Sequence, residues 1–198
     1  MIVISDTNII FSCFYTPNGA MATILKNEKN KLQFIAPSYL LEEVKEHLPI
    51  LMERNHLTKK KALDILKEAT KNIIFYDLEE IKKKNREKAA EVAKDIDPDD
   101  YLFIALHFET GHKIWTCDAK LANGLKEKGY DMCITTNEIR EKTYKKKEDS
   151  IHNLIHNRPE LTKIIPIFLT AGFLSYITHK KSCNNHCQRR GHMRGLGN

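Results

Sequence analysis

A chain of 198 residues with 41% hydrophobic and 29% charged residues has ordinary globular composition, which excludes a wholly disordered, collagenous or membrane-embedded protein. That length accommodates one well-buried core and an appendage rather than two full domains. The formal charge of +6 favours a polyanionic partner such as nucleic acid, although charge speaks to association and not to fold.

The chain opens directly on strand-like residues and an acid, without the basic region, long apolar run and cleavage site of a secretory signal. Five cysteines make an odd set, and Cys13, Cys117 and Cys133 stand in apolar or strand-like contexts where a thiol acts as a small hydrophobe. Both features point to a reducing cytoplasm.

Residues 2–4 are a continuous β-branched run, the pattern of a strand buried on both faces. The run breaks at Ser5-Asp6-Thr7-Asn8, ahead of an apolar segment over 9–14. Pro17-Asn18-Gly19 turns the chain into a helix over 20–28, and residues 32–36 read as a second strand. Pro37-Ser38 starts a helix to about residue 48, with Leu40, Leu41, Val44 and Leu48 on one face. Thr58 caps a helix to residue 70 whose apolar stripe is Ala62, Ile65, Leu66 and Ala69. Residues 73–76 are a third strand, and 79–94 a strongly charged helix. Asp97-Pro98-Asp99 breaks the chain and caps a helix over 100–110, closed by Gly111. Residues 113–116 form a fourth strand, 119–128 a helix, 132–135 a fifth strand, and a last helix starts near Asn137. Short apolar strands alternating with helices predict an α/β fold of three layers, a central parallel sheet flanked by helices.

Composition shifts after Lys145-Lys146-Lys147, so residues 1–145 are expected to form the domain and 146–198 a C-terminal extension. Within the extension, residues 164–177 are apolar but fall short of the roughly 20 needed to cross a bilayer. They read as a helix docking on the domain or a partner rather than a membrane span. Residues 178–198 are a basic tail in which Cys183, Cys187, His192, His179 and His186 offer soft ligands without the paired spacing of a zinc knuckle.

In an open parallel sheet the functional crevice lies outside the carboxyl ends of the strands. Asp6 directly follows the first strand and Asp118 closely follows the fourth. Asp100 opens the helix before that fourth strand, and Glu43 sits early in its own helix beside the apolar stripe. Four carboxylates far apart in the chain are therefore expected on one sheet edge. Like charges in a cleft raise one another's pKa, and Mg²⁺ or Mn²⁺, which prefer oxygen ligands, resolve that cost. Such an ion activates water for in-line phosphodiester cleavage. Thr7, Asn8 and Thr116 add hydrogen bonds around it. Each acid also has a plainer reading: Asp6 as a loop cap, Glu43 as a solvated helix residue, Asp99 and Asp100 as dipole-favoured helix acids, Asp118 as an N-cap.

Asp6-Thr7-Asn8 after the first strand, Ser38 to Glu43 with Val44 and Leu48, Asp97-Pro98-Asp99-Asp100 with Ala105-Leu106, and Thr116-Cys117-Asp118-Ala119-Lys120-Leu121 occur in an order and spacing that resemble the PIN domain family. The resemblance covers residues 1–140. It implies a metal-dependent ribonuclease with acids at Asp6, Glu43, Asp100 and Asp118, the metal on Asp6, Asp100 and Asp118, and Thr7, Asn8, Asp97 and Thr116 in support. Many relatives resemble the toxin half of toxin–antitoxin pairs, which implies RNA as substrate, an antitoxin as partner and a homodimer. Two departures stand out. Ala119 and Lys120 occupy the place where many relatives carry a further acid, so one ion is expected rather than two. Glu42 competes with Glu43, and Asp97 or Asp99 with Asp100, which is preferred for its distance to Ala105.

The lysine runs at 59–61, 82–84 and 145–147 spread around helix circumferences and read first as solvated faces, with phosphate contact as the alternative. Trp115 and Tyr101 suit base stacking, yet their apolar contexts favour core packing. An alternative function is a PIN-like module with weak catalysis that binds RNA or docks a partner. A phosphatase-like use of Asp6 as nucleophile is disfavoured, because Asn8 stands where its second acid belongs.

Overall fold

A computed structural model describes residues 1–27 and 31–143. Five strands, β1 (Ile2–Ser5), β2 (Gln33–Pro37), β3 (Ile73–Tyr76), β4 (Ile114–Trp115) and β5 (Cys133–Ile134), form one parallel sheet in the order β3-β2-β1-β4-β5. Register is continuous across it: Ile4 pairs with Ile35 on one side and Ile114 on the other, Phe34 with Ile73, and Ile114 with Cys133. Val3, Ile4, Phe34, Ile35 and Ile114 are all buried, as strands covered on both faces must be.

The helices α1 (Thr7–Tyr15), α2 (Ala20–Lys26), α3 (Tyr39–Arg54), α4 (Lys59–Thr70), α5 (Lys83–Ala93), α6 (Tyr101–Thr110) and α7 (Ala119–Glu127) flank the sheet, and residues 136–143 are also helical. The predicted three-layer α/β architecture is the observed one. Helix α6 packs on β1, β2 and β4 and carries α5 on its outer side, so Leu102, Phe103, Ile104, Ala105 and Leu106 are buried all round it. Glu109 fastens this pair: its carboxylate accepts from Lys82 Nζ at 2.8 Å, Lys82 N at 3.0 Å and Asn85 Nδ2 at 2.7 Å.

Three elements differ from expectation. The apolar segment after Asp6 is a helix, α1, and Ile9, Ile10, Cys13 and Phe14 form its buried stripe. Helix α3 runs six residues beyond the expected end at 48, through Pro49, because Leu51 is buried against the core and holds the turn that proline weakens. The charged helix expected from 79 starts only at Lys83, since Asp77 and Glu80 close a capping box on the separate turn Leu78–Glu80.

The sheet and every candidate site residue lie in the compact unit Met1–Thr136. The apolar segment 164–177, the Cys/His tail and the third lysine run lie outside the described residues. Among the described residues no helix is long and apolar enough to cross a membrane.

Candidate active site

Strand order reverses direction at β1, so the crevice of this sheet opens between the carboxyl ends of β1 and β4. Asp6 stands there as the residue between β1 and α1, with its backbone N–H on the Trp115 carbonyl at 3.1 Å. Although it occupies the N-cap position, its side chain makes no capping bond. The carboxylate is buried and accepts instead from the Thr116 hydroxyl and, at 3.2 Å, from Asn8 Nδ2. Thr116 Oγ1 in turn accepts from the Asp118 N–H at 2.8 Å, so one threonine links the two strand-end acids. Asp118 uses Oδ1 to cap α7, taking the N–H groups of Lys120 at 2.7 Å and Leu121 at 3.2 Å. Its plainer reading as an N-cap therefore holds beside any chemical role.

Next to Asp6, the Thr7 hydroxyl donates to Glu43 Oε2 at 2.7 Å and ties α1 to α3. Glu43 is half-buried and Glu42 exposed. In the turn before α6, Asp97 Oδ1 accepts from the Asp99 N–H at 3.3 Å, while its other oxygen lies 3.7 Å from Lys120 Nζ. Asp99 is exposed; Asp100 is buried at the start of α6, where the helix dipole favours a negative charge, and makes no capping bond with its own helix.

Fields from these acids overlap. Burial pushes the Asp6 carboxyl above its ordinary value and the charge of Asp118 adds to that, while the bonds from Thr116 and Asn8 pull the other way. Burial first, and then the carboxylates of Asp6, Asp131 and Asp100, push the Cys133 thiol up to about 12, against a lowering by Lys113. Asp6 and Asp100 thus act on one neighbour. Tyr39, at the first position of α3 and one turn before Glu43, is held above the usual phenol value by burial and then by Glu43, Asp99, Glu46 and Glu42. The charges acting on it thus come from its own helix and from the turn before α6.

A sequence model of the PIN domain matches residues 3–158 of the chain. The chain belongs to the PIN domain family. No match is found among curated proteins. The PIN match runs from Val3 within β1 through the other four strands and includes every acid described above. PIN domains are generally nucleases that act on RNA, usually with divalent metals.

The donors at this PIN edge are carboxylate and hydroxyl oxygens, the hard set that suits Mg²⁺ or Mn²⁺. An ion bound there would also relieve the burial and repulsion that push Asp6 up. Among the described residues no three His, Cys, Asp or Glu side chains are grouped closely enough to make a full cage. Mg²⁺ does not require one, since it commonly takes one or two carboxylates and completes its shell with water and substrate phosphate.

Two residues of the edge carry no signal in the sequence. Tyr39 is silent because the influence of Asp99 on it arises only once the chain has folded. Lys120 stands out only as a departure from the family pattern, and its contact with Asp97 joins segments distant in the chain. Trp115, weighed for base stacking, is wholly buried: it packs 5.8 Å from Phe34 and donates from Nε1 to Thr136 Oγ1 at 2.9 Å.

Proposed function

We propose that this PIN domain is a divalent-metal-dependent endoribonuclease, with Asp6, Glu43, Asp100 and Asp118 as its acidic machinery and Mg²⁺ or Mn²⁺ held among Asp6, Asp100 and Asp118 by one or two direct carboxylate contacts, the rest reaching the ion through its waters. The observation that carries this reading is Asp6, a buried carboxylate oriented by Thr116 and Asn8 at the point where the sheet order reverses. When bound, the ion supplies Lewis acidity at the phosphate and makes water a better nucleophile. Thr116 and Asn8 fix the Asp6 carboxylate, and Thr7 fixes that of Glu43, to which this reading gives the proton of the attacking water. Asp118 is oriented by its bonds into α7. By the resemblance to toxin relatives, a cytoplasmic toxin, a homodimer and an antitoxin partner belong to the same reading.

Purified protein incubated with single-stranded RNA tests it. Cleavage is expected with Mn²⁺ and absent with chelator, and Asp6→Asn or Asp118→Asn should each lose on the order of a hundredfold or more. Equal cleavage by parent and variants removes the site assignment. A second reading, an RNA-binding module with little catalysis, draws on Lys120 standing beside Asp118 in place of a further acid. RNA binding without cleavage at any metal concentration would favour it.

A further inference from the structure

Lys120, in the first turn of α7, serves two acids with its two ends. Its backbone N–H donates to Asp118 Oδ1 at 2.7 Å, and its ammonium lies 3.7 Å from Asp97 Oδ2. The two halves of that ion pair are unequal. The Asp97 side chain is 12% exposed and further held by the Asp99 N–H, whereas the Lys120 side chain is 62% exposed. A contact of that length is coulombic rather than a hydrogen bond, and a pair so open to water is weak. Lysine carries three donors on a flexible stem, so the ammonium is able to turn from Asp97 to a stronger anionic acceptor at little cost.

An RNA strand approaching this edge brings phosphates towards Asp6, Asp118, Asp97 and Asp100. Repulsion opposes it unless cations stand at the rim. We infer that Lys120 is the phosphate-binding residue of the acidic edge, its ammonium leaving Asp97 for a phosphate oxygen of a single-stranded RNA while the bond of its N–H to Asp118 holds the lysine beside the crevice. The inference rests on the reading of this edge as an RNA site. It assigns Lys120 to the substrate and gives Asp97 the part of an internal competitor for the ammonium.

Fluorescence anisotropy of the full chain with a labelled single-stranded RNA, in chelator to block cleavage and across a range of NaCl, reads this directly. Removing one phosphate-binding cation in Lys120→Gln should flatten the slope of log affinity against log salt by about 0.7 and weaken binding several-fold at low salt. Lys120→Arg should keep the parent slope. Lys83→Gln, on α5 and 81% exposed, removes the same charge away from the edge and should leave the slope unchanged. Asp97→Asn releases the ammonium and should tighten binding, whereas a lysine serving only to brace Asp97 would make Asp97→Asn and Lys120→Gln behave alike. A parental slope in Lys120→Gln, or the same flattening in Lys83→Gln, overturns the inference. If the parent cleaves RNA with Mn²⁺ but Lys120→Gln keeps its slope, the lysine assignment fails alone. If the parent never cleaves yet the slope falls, the nuclease reading fails and the phosphate-binding role stands. No RNA binding by the parent overturns both.

Discussion

The fold makes a charge on Asp6 costly. Its carboxyl is pushed above the ordinary value by burial and then by Asp118, and the hydrogen bonds from Thr116 and Asn8 only partly offset this. A raised folded-state pKa means that the stabilisation belongs to the protonated form. It is present below the ordinary carboxylate value and is lost as pH rises through the raised one. Above the ordinary carboxylate value, folding of the metal-free protein therefore works against Asp6, which must either bury its charge or take up a proton. Asp6→Asn keeps the shape and an acceptor for Thr116 and Asn8 while removing that charge. In thermal melts at pH 7 with chelator the variant should melt above the parent, by about 4 °C for each kcal/mol recovered in a domain of this size. Mn²⁺ should raise the melting temperature of the parent and leave the variant where it is. A variant melting below the parent would show that the bonds to the ionised carboxylate outweigh its burial. At this scale the sequence was legible where a strand end fixes direction, as at Asp6 and Asp118. It was opaque at Tyr39 and Lys120, whose surroundings come from segments that only the folded chain brings near.

Between elements, α7 and the turn before α6 must keep a close approach for Asp118, Lys120 and Asp97 to meet. Gly124 permits it. A Cβ added there would stand 2.8 Å from Ile96 Cγ2 and 2.9 Å from Cγ1, too near for either atom to remain in place. Ile96 is buried and precedes Asp97 directly. Gly124→Ala gains roughly 1 kcal/mol of helix propensity but incurs about 1–3 kcal/mol of overpacking, so a net loss of about 1 kcal/mol is expected in urea unfolding. Ile96→Ala alone should cost about 2–5 kcal/mol through its cavity. The double variant should lose less than the sum, because the alanine methyl enters the space that Ile96 vacates. Strict additivity would mean that the two side chains do not share that space. The elements themselves were largely readable from apolar periodicity, including β4 and β5, short as they are. Helix α1 was not, because Ser5-Asp6-Thr7-Asn8 reads as a polar break when the acid of that stretch turns towards Thr116 instead of capping the helix. The extension of α3 was hidden by Pro49, which reads as an end until the burial of Leu51 shows what holds the turn beyond it.

Across the whole molecule the positive charge is unevenly placed. Residues 1–143 carry 22 Lys and Arg against 23 Asp and Glu, whereas residues 144–198 carry ten against three. The overall +6 therefore does not make the sheet domain basic, and on the inference above attraction of RNA to the acidic edge falls to local cations such as Lys120. On the nuclease reading, the C-terminal residues are expected to supply the long-range part. Residues 159–198, beyond the PIN match, hold six Lys and Arg against one Asp or Glu. A chain ended at Arg158 keeps every residue of that match, including the acids and Lys120. On the nuclease reading it should retain the kcat of the parent on saturating RNA with Mn²⁺. Its KM should rise, and its RNA affinity should fall less steeply with salt, by about 0.7 in the slope for each phosphate that the shorter chain no longer neutralises. Melting temperatures of both chains show whether the shortened one is folded. A folded short chain with the parental slope would assign all RNA attraction to the domain, and the excess charge of the C-terminal residues would then have no part in binding it.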